Sequence, residues 1–172
     1  MIWKLAAAAA GLLALGASDV GSDAPSDAQV AHIAYTAGVI DIAAGRQALT
    51  KSSNPAVRAF AGEMVRDHQA VNDQALALAR KLGITPEDNP TSGALKAAAD
   101  EEMSRLSPLK GASFDRAYVA NEVAFHRTVN ESLRTTLIPA ARNGELKALL
   151  QTGLALFSEH QMHAQALAAQ LR

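Results

Sequence analysis

The sequence predicts an all-α protein of four long helices, with a short extra helix in the crossover between the second and third. Three observations carry this. Apolar residues recur at spacings of three and four in four separate stretches. Those stretches are parted by Pro- and Gly-containing breaks: Ser52-Ser53-Asn54-Pro55, the segment 83–93, and Asn143-Gly144. No segment alternates apolar and polar residues over a useful length, so no sheet is expected.

The first eighteen residues stand apart from this pattern. Met1-Ile2-Trp3-Lys4 is a short positive start, Leu5 to Leu15 is an apolar run, and the small residues Gly16, Ala17 and Ser18 follow. This is the layout of a secretory signal peptide. The run falls short of the roughly 20 residues that span a bilayer. We therefore expect residues 1–18 to be removed, and a periplasmic product without stable membrane insertion. Residues 19–27 read as a polar spacer, and 28–171 as one folded body. The chain has no Cys, which excludes both a lipid-bearing Cys and disulfides. A body of about 150 residues is long enough to hold together by its core. With 4% aromatic residues and abundant Ala, that core is built from small side chains. A formal net charge of −1 with no basic run excludes nucleic acid and anionic membrane surfaces as expected partners.

The first helix is expected over 26–50, with a seam of Val30, Ile33, Ala37, Asp41, Ala44 and Ala48. Asn54 then caps a second helix that begins with Pro55 at its first position and runs over 55–82. Its seam is Val57, Phe60, Met64, His68, Val71, Ala75, Leu78 and Leu82, and Gly83 stops it. The segment 83–93, with Pro86 and Pro90, reads as a loop crossing one end of the bundle. A weakly amphipathic helix follows over 94–106, expected as a flap outside the bundle proper. The third long helix is expected over 112–138, with Phe114, Tyr118, Glu122, His126, Val129 and Leu133 inward; Pro139 ends or kinks it. The fourth covers 144–171, with Leu146, Leu149, Gly153, Leu156, His160, Ala164, Leu167 and Leu171 inward.

Each seam carries a polar residue near its middle: Asp41, His68, His126 and His160. In an up-down bundle the helix midpoints share one layer, so these four are expected to meet in the core. Such a cluster is costly unless its members are paired or bound to something. Imidazole is a common ligand for Zn, Cu and Fe, and a carboxylate completes a mixed nitrogen and oxygen set. A structural hydrogen-bonded cluster and a proton-linked switch are the competing readings. Glu122 lies four residues before His126 on the same face, placed to act as a second carboxylate ligand or to orient the imidazole. Asp67 is turned about 100° from His68 and faces a neighbour or solvent. Met64 and Met162 read as filler rather than thioether ligands. His163 and Glu159 belong to a solvated face, and His32, off its seam, is read as exposed.

The Glu-x-x-His pairs of carboxylate-bridged di-iron bundles do not occur in the chain. Neither do a nucleophile elbow, a phosphate-binding Gly loop or His-Glu-x-x-His. A faint repeat relates Arg58-Ala59-Phe60 through His68-Gln69-Ala70-Val71-Asn72-Asp73 to Arg116-Ala117-Tyr118 through His126-Arg127-Thr128-Val129-Asn130-Glu131. A duplicated hairpin with pseudo-twofold symmetry would give this pattern, and so would chance, since short matches arise easily in Ala-rich helices.

The stretch from Val39 to Gly45, the stretch from Val57 to Met64-Val65-Arg66-Asp67-His68, Phe114-Asp115-Arg116-Ala117-Tyr118 to His126, and Leu154 to His160 resemble the DUF4142 family. The likeness covers nearly all of 28–171. It implies an exported bacterial protein with a ferritin-like antiparallel four-helix bundle and no settled activity. The family's histidines correspond to His68, His126 and His160, and its Glu in the first helix corresponds to Asp41, one methylene shorter. Where the family often has Asp before the third-helix His and Pro before the fourth-helix His, this chain has Phe125 and Ala155. The leading functional expectation is a non-enzymatic exported bundle that binds a metal or serves envelope stress or maintenance. A metal-dependent redox enzyme and a purely structural or interaction module are the alternatives.

Overall fold

The computed structural model describes residues 24–171; the expected signal peptide, residues 1–18, lies outside the described residues. All regular structure among them is helical. The elements are α1 (Asp27–Lys51), α2 (Pro55–Leu82), α3 (Pro90–Leu106), α4 (Gly111–Ser132) and α5 (Gly144–Gln170). A π-helical turn, Leu133–Leu137, and one further turn, Ile138–Ala140, extend α4 towards α5.

Local chemistry sets the helix ends. Ser26 and Gln29 form a reciprocal capping box at the start of α1. Asn54 accepts from the N–H groups of Ala56 and Val57 ahead of Pro55, and Asn143 caps α5 through Glu145 and Leu146. Gly83 adopts φ +64°, the left-handed conformation that closes α2 without a Cβ penalty. Pro139 does not end the chain's helical course at Ile138. It lacks an N–H, and its ring would crowd a carbonyl one α-turn back. The wider π turn just before it absorbs that conflict, and helix continues to Ala140.

The crossover differs from expectation. Asn89 caps α3 with a second capping box, so the helix begins at Pro90 rather than at 94. Nor does the 83–110 segment cross one end. His32 Nδ1 lies 3.0 Å from Ser92 Oγ, Gln47 Nε2 donates to the Met103 carbonyl at 3.2 Å, and Lys51 Nζ donates to the Ser107 carbonyl at 2.6 Å. These contacts place α3 alongside α1 for most of its length and parallel to it. His32 is accordingly half-buried against the start of α3, not exposed, because α3 covers that face of α1.

Helix α1 packs against α2 and α4, and α5 packs against α4 and α2. The carboxylate of Asp27 accepts from the backbone N–H groups of Arg142 and Asn143 at 2.7 and 2.9 Å, tying the start of α1 to the start of α5. The core has two parts. One holds Phe60, Phe114, Tyr118, Met64, Val57 and Leu106 with Ala48 and Ala164. The other is mainly aliphatic, with Val30, Ile33, Leu133, Leu137, Leu146 and Leu150. The polar residues at the helix midpoints lie between them.

The seams of α1 and of the first half of α2 are buried as expected. Beyond His68 the buried line of α2 passes to Asn72 and Ala79, while Val71, Ala75, Leu78 and Leu82 are only partly covered and face a cavity. In α5 the buried positions are Leu150 and Phe157 rather than Leu149 and Leu156. From Leu146 and from Gly153 the buried line steps by four and then three, where three and then four was expected.

Candidate metal centre

Asp41, His68, Glu122, His126 and His160 are all brought together at the middle of the molecule, and none exceeds 2% exposure. Each comes from the seam of a long helix: α1, α2, α4, α4 and α5. The three imidazoles form a near-equilateral group with ring centroids 5.4 to 5.6 Å apart. One nitrogen from each ring lies within 4.8 Å of the others, and the same holds for one ligand atom each of Asp41, Glu122 and His126. Asp41 Oδ2 is 3.3 Å from His68 Nε2 and 3.4 Å from His126 Nε2, yet makes no aligned hydrogen bond to either.

Two of the imidazoles have their protons placed by neighbours. His126 Nδ1–H donates to the Glu122 backbone carbonyl at 3.0 Å, leaving Nε2 with a bare lone pair that faces Asp41. His160 Nε2–H donates to Asp67 Oδ2 at 3.2 Å, leaving Nδ1 bare and without a partner among the described residues. A histidine whose other ring N–H is held by a carbonyl or carboxylate has the arrangement of a metal-ligating imidazole. His68 has both nitrogens buried without an aligned partner among the described residues. Its ring lies flat on Phe157, with centroids 4.5 Å apart.

Burial dominates the electrostatics. It raises the Asp41 carboxyl to about 8. It also pushes Glu122 well above the usual carboxylate range, reinforced by the nearby Asp41 charge. It lowers His68 to about 2, helped by His126 and His160, and His126 to about 4 despite the raising effect of the Glu122 carbonyl. His160 is lowered by burial, with Asp67 opposing. At neutral pH the protein alone therefore favours neutral imidazoles and protonated carboxyls. A cation entering among these groups would displace carboxyl protons and accept nitrogen lone pairs that already lack a proton.

Three contributing residues lie outside the expected ligand set. Asp67 is the neighbour that orients His160, and its side chain is 21% exposed. The 100° rotation from His68 already turned it toward another helix. Phe157 backs His68; it sits one step from the expected seam position Leu156. Tyr118 lies one turn before Glu122, with its hydroxyl buried and unpartnered and its titration raised by burial, Glu122 and Asp41. Met64 is buried in the core and Met162 is 61% exposed, so neither joins the cluster. His163 instead faces Glu63, with Nδ1 2.9 Å from Oε2.

The faint repeat has a structural counterpart. Asn72 Nδ2 donates to the Tyr35 carbonyl of α1 at 3.4 Å, and Asn130 Nδ2 to the Phe157 carbonyl of α5 at 3.1 Å. The repeat relates the second helix of one hairpin to the first helix of the other. A tandem copy of a hairpin would match first with first, so the likeness belongs to the two environments, not to a simple duplication.

Fold and site together define an all-helical protein with a buried histidine–carboxylate cluster at its centre. The family model described as a domain of unknown function, DUF4142, matches residues 13–167, and the chain belongs to that family. No curated protein matches it. Its fold is similar to the crystal structure of a DUF305 protein of Streptomyces coelicolor whose name describes it as secreted. That match has a TM-score of 0.69 and 13% identity, over 84% of this chain and 93% of the other; at that identity the likeness concerns the fold alone. No helix among the described residues is long and apolar enough to cross a membrane.

Proposed function

We propose that this chain is an exported metal-binding protein, a ferritin-like antiparallel four-helix bundle. It holds one transition metal ion through His68, His126, His160 and Asp41. Glu122 serves as a further carboxylate at the same centre, and Asp67 orients His160. One observation carries the reading. Of the eleven buried side-chain nitrogen and oxygen atoms that find no hydrogen-bond partner among the described residues, seven belong to these five side chains. Buried polar atoms are almost always satisfied, and a cation that displaced the carboxyl protons would satisfy the oxygens and imidazole lone pairs gathered here. A set rich in imidazole with a carboxylate suits Zn, Cu or Fe. The domain division follows: residues 1–18 a signal peptide, 19–27 a spacer, 28–171 the binding domain.

The test is metal content and melting temperature on the exported protein. One equivalent of Zn, Cu or Fe should survive gentle purification. Ion present at 100 times its dissociation constant stabilises by about 2.7 kcal/mol, or about 5–10 °C for a domain of this size. His68→Ala and His126→Ala should abolish that increment; His32→Ala, at the α3 contact, should keep it. Melting curves indifferent to chelators and to all three metals would make the cluster a structural one. The mass of the native protein should lack residues 1–18, and an intact N-terminus would count against export.

A further inference from the structure

A second feature lies beside the polar cluster and is distinct from it. A cavity of about 630 Å³ opens between α1, the second half of α2, α3 and α4, and reaches the first half of α5. Its volume is that of a small-molecule site, whereas native interiors leave few voids larger than a water molecule. Its position follows from the composition. Phe60, Phe114 and Tyr118 fill one end of the molecule, while the other end relies on aliphatic residues and Ala. Helix α3 bears on α1 at its two ends, while its middle lines the space with Ala94, Leu95, Ala98 and Ala99, three of the four being alanine. The alanines leave most of that stretch unfilled.

The walls state what fits. Along α1 the lining extends from Ala31 to Ala44, a length of about 20 Å at 1.5 Å per residue, so the space is elongated. Among the described residues Lys and Arg are absent from the lining, and the one charged residue in it, Glu102, is engaged by Arg105 at 2.7 Å. An anionic head group would find no cation here, and a cationic one would find a carboxylate already paired. Water would find few partners on walls of Ala, Leu, Ile and Val, and cavities of that kind take up apolar molecules.

We propose that this cavity binds one elongated, uncharged apolar molecule, of the class of long-chain alcohols and neutral isoprenoids, lying along α1 beneath α3. The bound molecule meets Phe157, which also stacks on His68, at its inner end. The site is independent of whether a metal occupies the neighbouring cluster.

The test uses the full chain and the neutral fluorescent probe N-phenyl-1-naphthylamine. Its emission should rise and saturate at one probe per chain. 1-Hexadecanol should displace it at least tenfold more effectively than palmitate, because only the carboxylate must be buried without a cation. Ala94→Trp and Ala98→Trp fill the cavity from the exposed helix α3 and should weaken the probe at least tenfold. Ala155→Trp, exposed on α5 and away from the cavity, should leave it unchanged. Non-saturable emission, or full binding in a folded Ala98→Trp protein, would overturn the proposal. Displacement by palmitate equal to that by hexadecanol would overturn the assignment of an uncharged ligand. Should both α3 variants fail to fold, the competition experiment on the unaltered chain decides the matter.

Discussion

The ring of Phe157 lies against that of His68 with the two planes 8° from parallel. Phe157 also forms part of the cavity wall. A single aromatic side chain thus separates an apolar space from a polar cluster and keeps water off one face of the imidazole.

Truncating that ring should be costly. Phe157→Ala is expected to lose about 3 kcal/mol, the lower end for buried aromatics, because Phe157 retains 9% exposure. Urea unfolding with chelator present measures it. A loss below about 1 kcal/mol would mean that the stack contributes little.

The titration of Asp41 opposes that of the histidines. Its folded value, about 8, lies above its ordinary 3.8. Its contribution is therefore complete below pH 3.8 and is lost as pH rises through about 8. His68 and His126 fall from 6.5 to about 2 and about 4, so theirs is complete above pH 6.5 and is lost as pH falls toward those values. Asp41→Asn removes the first effect and eases the upward shift of Glu122, which has the same sign, while leaving the histidines' effect. With metal chelated, its urea midpoint should drop more steeply than that of the unaltered protein from pH 6.5 to 4.5, and gain on it from 6.5 to 8.5. Parallel pH profiles would show that Asp41 holds no proton in the folded chain.

Gly38 lets α1 approach the Asn72 amide, and a Cβ there would overlap it. On helix propensity alone Gly38→Ala would gain about 1 kcal/mol. We expect instead a loss of about 1–3 kcal/mol from overpacking, largely relieved in the Gly38→Ala, Asn72→Ala double variant. A double-mutant cycle with no coupling would remove the steric explanation.

Asn130 is fully buried and donates to the Phe157 carbonyl and to Gln161 Oε1. Asn130→Ala should cost about 1–3 kcal/mol. Asn130→Asp should cost more at pH 7, since a carboxylate would then face two oxygen acceptors. The reverse ranking by thermal melting would show that the amide's donor role is not what stabilises this contact.

The candidate site was legible because polar residues in apolar seams are conspicuous: Asp41, His68, His126 and His160 stand where Val or Leu would pack freely. Asp67 was less legible, since its role depends on α5 lying beside α2, and a single helix does not specify its neighbour. The path of α3 was not legible at all. Asn89-Pro90 reads equally as loop or as cap, and only the partners at His32 and Gln47 settle that α3 runs along α1. The cavity escaped for a related reason. Val71, Ala75 and Leu78 look like any other seam, and that they face open space depends on how much the opposite wall fills.

The unequal filling of the two ends also gives the molecule a mechanical asymmetry. Hydrostatic pressure favours unfolding to the extent that internal voids vanish with the fold. The aromatic end around Phe60, Phe114 and Tyr118 offers little volume to lose, whereas the aliphatic end carries the cavity. Compression therefore acts first on the starts of α1 and α5 and on the π turn, leaving the end built on Phe60 and Tyr118 to yield last. A chain whose cavity is filled would resist compression in both halves alike.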